Sequence, residues 1–186
     1  MSENAREAIL EAARRMAQAH GYGGLNFRDI GAEVGIKAAS IYHHFPSKAD
    51  LGVAVAKRYW EDTAAELEAL SAATGDPKKA LHAYPGLFRR SLEAENRMCL
   101  CSFMAAEYDD LPDTVKTEVQ AFADVNVAWL TRMLSAVSIS GKDCETRARA
   151  IFAAVAGAQL MARSRADLSL FDALIDSFRE SGMFPA

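Results

Sequence analysis

The stretch NFRDIGAEVGIKAASIYHHFPSK, residues 26–48, decides how the chain folds. Asn26 followed three residues later by Asp29 is a capping-type helix start, because a short polar side chain can accept from amides that the first turn leaves unpaired. Ile30 and Val34 supply the inner face of a short helix, and Gly35 is placed to stop it. A second short helix runs from near Ala38 to His44, with Ile41 and Phe45 four apart and pointing inward. Pro46 forbids its continuation, since proline lacks an amide hydrogen and disfavours helical geometry in the residue before it. Ser47 then caps a long helix, with Asp50 completing the box, that runs through Leu51, Val55, Tyr59 and Leu67 to about Ala73.

Outward from this stretch the periodicity stays helical. Upstream, Ile9, Ala13, Met16 and Ala17 form one buried stripe, Gly21 is placed to end that helix in the left-handed conformation, and Tyr22, Gly23 and Gly24 form a loop. Downstream, Thr74-Gly75-Asp76-Pro77 is the clearest break in the chain. Further helices are expected at about 77–95, 102–109, 112–138, 143–165 and 168–181, with Pro85 kinking or splitting the first and Pro112 starting another. No alternating strand run with hairpin turns is present, so the expected fold is all-α.

Residues 27–45 therefore spell short helix, glycine-containing turn, short helix, with the polar side of the second helix facing solvent. That is the geometry that seats a recognition helix in the major groove of DNA, although any small helical domain can produce the same pattern. The surrounding sequence is more specific. Ile9-Leu10-Glu11-Ala12-Ala13, the aromatic Tyr22 after Gly21, Asp29-Ile30-Gly31-Ala32, Gly35-Ile36 and above all Ile41-Tyr42-His43-His44-Phe45-Pro46-Ser47-Lys48 resemble the N-terminal DNA-binding region of TetR-family regulators. The resemblance implies a DNA-binding domain over residues 1–47 and a helical ligand-binding and dimerisation domain over 48–186.

Candidate DNA-contacting residues are Asn26, Arg28, Lys37, Ala38, Ala39, Ser40, Tyr42, His43, His44 and Lys48. Asn26 can cap the first short helix and present its amide dipoles to a phosphate, while Arg28 is placed for a phosphate or a base. The resemblance assigns Tyr42 and His44 mainly to the DNA backbone, and Lys48 adds a cation. The sequence departs from the family pattern at Lys37, where Ser or Thr usually caps the recognition helix, and at Ala38 and Ala39, where a longer side chain is common at the first position. Lys37 can still reach phosphate or guanine and the alanines a thymine methyl, so with Ser40 they are the candidate base readers.

Composition fits this reading. Over 186 residues, 51% hydrophobic and 25% charged side chains describe a globular chain able to bury a real core. The net charge of −4 argues against an indiscriminate nucleic-acid coat. The start lacks the apolar stretch and cleavage site of a signal peptide, and no uninterrupted apolar run is long enough to span a bilayer, so a cytoplasmic location is expected. Cys99, Cys101 and Cys144 are expected as free thiols. Arg97 beside Cys99 and Cys101 raises a thiol-sensing role, against the commoner buried, inert cysteine.

Enzyme chemistry finds little footing. There is no glycine-rich phosphate loop, nucleophile elbow, HExxH or paired His and carboxylate spacing, and Cys99-x-Cys101 has no second pair to complete a zinc site, so neither cofactor nor metal is expected. The C-terminal part is instead rich in bulky apolar side chains. Tyr84, Phe88, Cys99, Phe103, Met104, Tyr108, Phe122, Trp129 and Met133 are candidates for an adaptable pocket for a small apolar or aromatic effector, although most such residues are simply core. Residues 98–112 are also similar to the LmrA/YxaF-type subgroup of the family. The run 150–162 is apolar nearly all round, and an apolar helix follows it. Ile151, Ala154, Val155, Gly157, Ala158, Met161, Phe171, Leu174, Ile175 and Phe178 are therefore candidates for a homodimer interface, as the resemblance implies. Two functions stay open: a ligand-responsive repressor, and a helical small-molecule-binding protein or enzyme that no longer reads DNA, which Lys37-Ala38-Ala39 keeps in play.

Overall fold

The structure, a computed structural model, describes residues 2–137 and 142–185. Among these residues regular structure is entirely helical: α1 (Ser2–His20), α2 (Phe27–Val34), α3 (Ala38–Tyr42), α4 (Lys48–Thr74), α5 (Pro77–Ala83), α6 (Pro85–Glu93), α7 (Leu100–Ala106), a 3-10 turn (Tyr108–Asp110), α8 (Asp113–Ala136), α9 (Lys142–Arg165) and α10 (Leu168–Glu180). They form two compact units, one of residues 1–61 with 100–122 and one of 62–99 with 123–186. The helices α4 and α8 contribute residues to both.

In the first unit α1 packs on α2 and α7, and α2 packs on α3. Ile9, Ala13 and Ala17 are buried as the stripe predicts, whereas Met16 is half-buried and Ala12 takes an inner place. Gly21 ends α1 at φ 70°, a left-handed conformation that glycine adopts without strain. Ile30, Ile41, Phe45, Leu51 and Val55 complete the core around the two short helices. At the surface, Arg15 bridges α1 to Glu33 of α2 at 2.5 Å, and Arg58 of α4 reaches Glu7 of α1 at 2.7 Å. Such exposed pairs contribute little each, so apolar burial carries this unit.

In the second unit α9 packs on both α6 and α10. Pro85 splits the segment expected at 77–95 into α5 and α6, which meet at Tyr84. The segment expected at 102–109 becomes α7 followed by the 3-10 turn, because the chain tightens after Ala106. Of the helix expected at 112–138, residue 138 lies outside the described residues, and α8 ends at Ala136. Gln159, fully buried, is satisfied on both sides of its amide: its Nε2 donates to the Phe88 carbonyl at 2.8 Å and its Oε1 accepts from the Cys99 amide at 3.0 Å. A buried side-chain amide left unpaired would cost on the order of 1–3 kcal/mol, so this residue fixes how α9 meets α6 at Phe88 and the backbone at Cys99.

The tightest backbone approach in the short-helix pair is at Gly31. A Cβ there would lie 2.8 Å from the Ile36 carbonyl oxygen, a backbone atom with no rotamer to escape into. Alanine is favoured over glycine inside a helix by about 1 kcal/mol, but overpacking of this kind costs about 1–3 kcal/mol and wins where backbone cannot move. Gly31→Ala is therefore expected to lower stability in urea denaturation; a variant as stable as the wild type would show that the corner yields without strain.

Candidate nucleic-acid interface

Local chemistry builds the corner between α2 and α3. Asn26 is extended and its Oδ1 accepts from the amides of Arg28 at 2.8 Å and Asp29 at 3.3 Å, which starts α2 as its position predicts. Gly35 stops α2 at φ 77°, and the Ile36 amide returns to the Gly31 carbonyl at 2.9 Å. The turn is consequently only three residues long, and α3 begins at Ala38. Burial of Ile41 and Phe45 then fixes the rotation of α3 about its axis. Lys37, Ala39, Tyr42 and His43 face solvent, with Ala38, Ser40 and His44 half-buried beside them, and Asn26 and Arg28 are exposed on α2.

Two residues differ in detail from their sequence-based expectation. Tyr42 is 57% exposed yet anchored, its ring meeting Phe27 edge-on at 4.7 Å, so that its hydroxyl end is held outward by an apolar contact. Lys48 does not extend freely: its Nζ donates to the Gly23 carbonyl at 3.0 Å and lies 4.7 Å from the centre of the Tyr22 ring. The partner of that same turn on another side is Glu107, whose carboxylate accepts from the amides of Tyr22 at 2.5 Å and Gly23 at 3.0 Å. No sequence signal pointed to Glu107, which stands 85 positions from Tyr22.

The residues singled out for an effector fall into both units. In the second, Tyr84 stacks on Trp129 at 5.7 Å and meets Phe88 edge-on at 5.6 Å. The Tyr84 hydroxyl donates to Oδ1 of the fully buried Asn126 at 2.8 Å, and the Trp129 indole donates to Ser71 Oγ at 2.9 Å, beside Met133. Burial, and to a lesser extent the neighbouring Cys99, pushes the Tyr84 phenol well above its ordinary range, so it stays a neutral donor. Asn126 was missed because a lone polar residue in an apolar helix carries no motif. In the first unit, Met104 and Phe122 are buried and Phe103 half-buried, with Phe122 5.6 Å from Tyr59. Tyr108 is 53% exposed, since the 3-10 turn replaces the expected helical continuation, and Lys116 lies 4.6 Å over its ring. Cys99, Cys101 and Cys144 are buried thiols outside any disulfide, and Arg97 pairs with Glu95 at 2.6 Å.

The residues singled out for a dimer divide by side of the helix. Ile151, Val155, Ala158, Phe171 and Ile175 are buried within the chain, where α9 meets α10. Gly157 and Met161 are exposed, and Ala154, Leu174 and Phe178 half-buried; Leu160, 58% exposed, joins them. Among the described residues no helix is long and apolar enough to cross a membrane, and no cluster of three or more His, Cys, Asp or Glu could hold a metal ion.

A two-helix corner with a short, solvent-facing second helix is the geometry of the helix-turn-helix motif. Residues 9–55 match the family profile described as bacterial regulatory proteins, tetR family. The chain is 31% identical to a transcriptional regulator of the TetR family from Agrobacterium tumefaciens, with a TM-score of 0.91 over 97% of this chain and 98% of that one. It is 29% identical to a TetR transcriptional regulator from Legionella pneumophila, with a TM-score of 0.89 over 94% and 95% of the two chains. The HTH-type transcriptional repressor AcnR of Corynebacterium glutamicum is 40% identical over 68 residues, 37% of this chain; the match spans 35% of that curated relative's length. The chain belongs to the TetR family.

One departure from the usual pattern is testable without DNA. Lys37 occupies the N-cap of α3 and makes no side-chain capping hydrogen bond. Lys37→Ser supplies a hydroxyl acceptor there and is expected to raise unfolding free energy by about 1 kcal/mol in urea denaturation. An unchanged midpoint would mean that the first amides of α3 gain nothing from a cap.

Proposed function

We propose that the chain is a ligand-responsive DNA-binding transcriptional regulator, a repressor that occupies a pseudo-palindromic operator as a homodimer and is released by a small apolar or aromatic effector. The observation that carries the DNA reading is the corner itself: Lys37, Ala39, Tyr42 and His43 project from the five-residue α3 and its two caps, whose rotation is fixed by Ile41 and Phe45. Family membership supports it. Residues 1–47 serve DNA contact and 48–186 effector binding and dimerisation; this is a division of roles, distinct from the compact units. Asn26, Arg28, Tyr42 and His44 hold the backbone, while Lys37, Ala38, Ala39 and Ser40 meet base edges.

Repeated selection of a random-sequence duplex library on the full chain tests this reading. The expected result is a preferred duplex with two related half-sites about 34 Å apart, one helical turn, since a single short helix reads too few bases. Tyr42→Ala is expected to weaken binding at all sequences, and Lys37 or Ser40 substitutions to change the preferred bases. Enrichment of no sequence would favour the alternative, a helical small-molecule-binding protein or enzyme without DNA reading.

The exposed apolar side chains of α9, Met161 at 48% and Leu160 at 58%, beside Gly157, support self-association through α9 and α10. Gly157 faces open space, since an added Cβ there would meet nothing within the chain, and this leaves room for a second copy's helix. Gly157→Arg is expected to convert a dimer to a folded monomer in light scattering, and a wild-type monomer at micromolar concentration would refute the interface. The effector site centres on Tyr84, Phe88 and Trp129, with Asn126 and Ser71 as its polar groups. Coupling of about 1–3 kcal/mol would release DNA by roughly 5- to 150-fold. The helix α4, which starts beside the DNA-reading corner and contributes residues to both units, is the lever.

A further inference from the structure

We propose that Glu107 is a positioning residue for DNA reading: with Lys48 it clamps the turn between α1 and α2, so that the 100–122 segment and the DNA-contacting corner move as one body. The inference rests on the reading of α2 and α3 as the DNA-contacting pair.

The turn Gly21–Gly24 directs two consecutive amides, those of Tyr22 and Gly23, at the one carboxylate of Glu107, which accepts both. Consecutive amides of this kind form a concavity that favours an anion, and charge assistance strengthens both bonds. A Cβ at Gly21 would stand 2.2 Å from Glu107 Oε2, so only glycine lets the carboxylate sit this close. Lys48 holds the same turn by its carbonyl, at Gly23, and lies over the ring of the buried Tyr22. The rest of the turn has little freedom: the Leu25 amide bonds the Tyr22 carbonyl at 3.1 Å, and Asn26, the cap of α2, follows immediately. Whatever displaces Glu107 must break two charge-assisted hydrogen bonds in the turn that leads into the cap of α2.

Sign separates this role from simple charge. Glu107 is an anion, so if it acted on DNA only through repulsion its removal would tighten binding. A positioning role gives the opposite: Glu107→Gln, which can present only one acceptor oxygen to the two amides, weakens binding. Lys48 is separable in the same way. Loss of a lysine that touches phosphate lowers the slope of log affinity against log salt by about 0.9, whereas loss of a lysine that holds a turn leaves the slope unchanged.

The test uses the full chain, its Glu107→Gln and Lys48→Met variants, and the duplex selected on the wild type. In amide hydrogen exchange followed by NMR, Tyr22 and Gly23 are expected to exchange at least about 10-fold faster in Glu107→Gln, with the interior of α1 unchanged. Affinity for the duplex is expected to fall about 10-fold in each variant at unchanged salt slope. Wild-type exchange rates at both amides in Glu107→Gln, tighter binding by that variant, or a reduced slope in Lys48→Met would overturn the clamp. Should the library yield no preferred duplex, it is the proposed function that fails, and the exchange measurement still decides whether Glu107 holds the turn.

Discussion

The approach of α2 to the Ile36 carbonyl at Gly31 is the constraint on which the corner between α2 and α3 depends. Because no side chain intervenes, the chain turns from α2 to α3 in three residues, with the Ile36 amide closing back on Gly31. A corner this short leaves α3 little choice of position, and burial of Ile41 and Phe45 removes what rotation remains. Five residues of helix have almost no intrinsic stability in water, so α3 exists because the corner and the core hold it. What faces outward, Lys37, Ala39, Tyr42 and His43, is thus presented by a preorganised surface, and less ordering entropy is lost when DNA is met.

The second unit relies on a different device, buried polar groups that are individually satisfied. Gln159 joins the Phe88 carbonyl to the Cys99 amide, Asn126 accepts from Tyr84, and Ser71 accepts from Trp129. Each of these pairings has a geometry that apolar side chains would not impose, and in a low-dielectric interior a broken one is expensive. Purely apolar contact between helices can slide; these bonds set the register of α9 on α6 and of α8 against Ser71 and Tyr84. The Arg89 guanidinium adds a paired contact to Asp172, holding that carboxyl below its ordinary value of 3.8. The contact joins α6 to α10, and since the folded value is the lower one its contribution is present above that pH and lost as pH falls beneath it.

Much of the fold was legible because the punctuation is local. Gly21, Asn26, Gly35, Pro46, and Asp76 with Pro77 each act through the residues next to them, and the helix ends they set follow within a residue or two. The outward placement of these candidates was legible for the same reason: one short helix with two inward apolar positions leaves few faces. Contacts across long separations were not. Nothing in the spacing of Glu107 relates it to Tyr22, and nothing about Lys48 distinguishes a cation that meets phosphate from one that meets the Gly23 carbonyl. The dimer candidates show the limit of periodicity. An all-round apolar helix announces that both sides are covered, but it does not say that Ile151, Val155 and Ala158 are covered by this chain while Gly157 and Met161 are left outward. Tyr108 turned outward because a switch from α-helix to 3-10 turn rotates every later side chain, a change that hydrophobic pattern does not encode.

The central claim, that the corner between α2 and α3 is the surface that meets DNA, is tested most directly by amide chemical-shift mapping of the full chain titrated with its selected duplex. The account predicts that the large perturbations cluster at Asn26–Arg28 and Lys37–His44, saturating at one duplex per dimer, with Lys48 and the Gly21–Gly24 turn shifting less. Perturbations centred elsewhere, on the exposed face of α9 for example, with the Lys37–His44 amides unmoved, would contradict it.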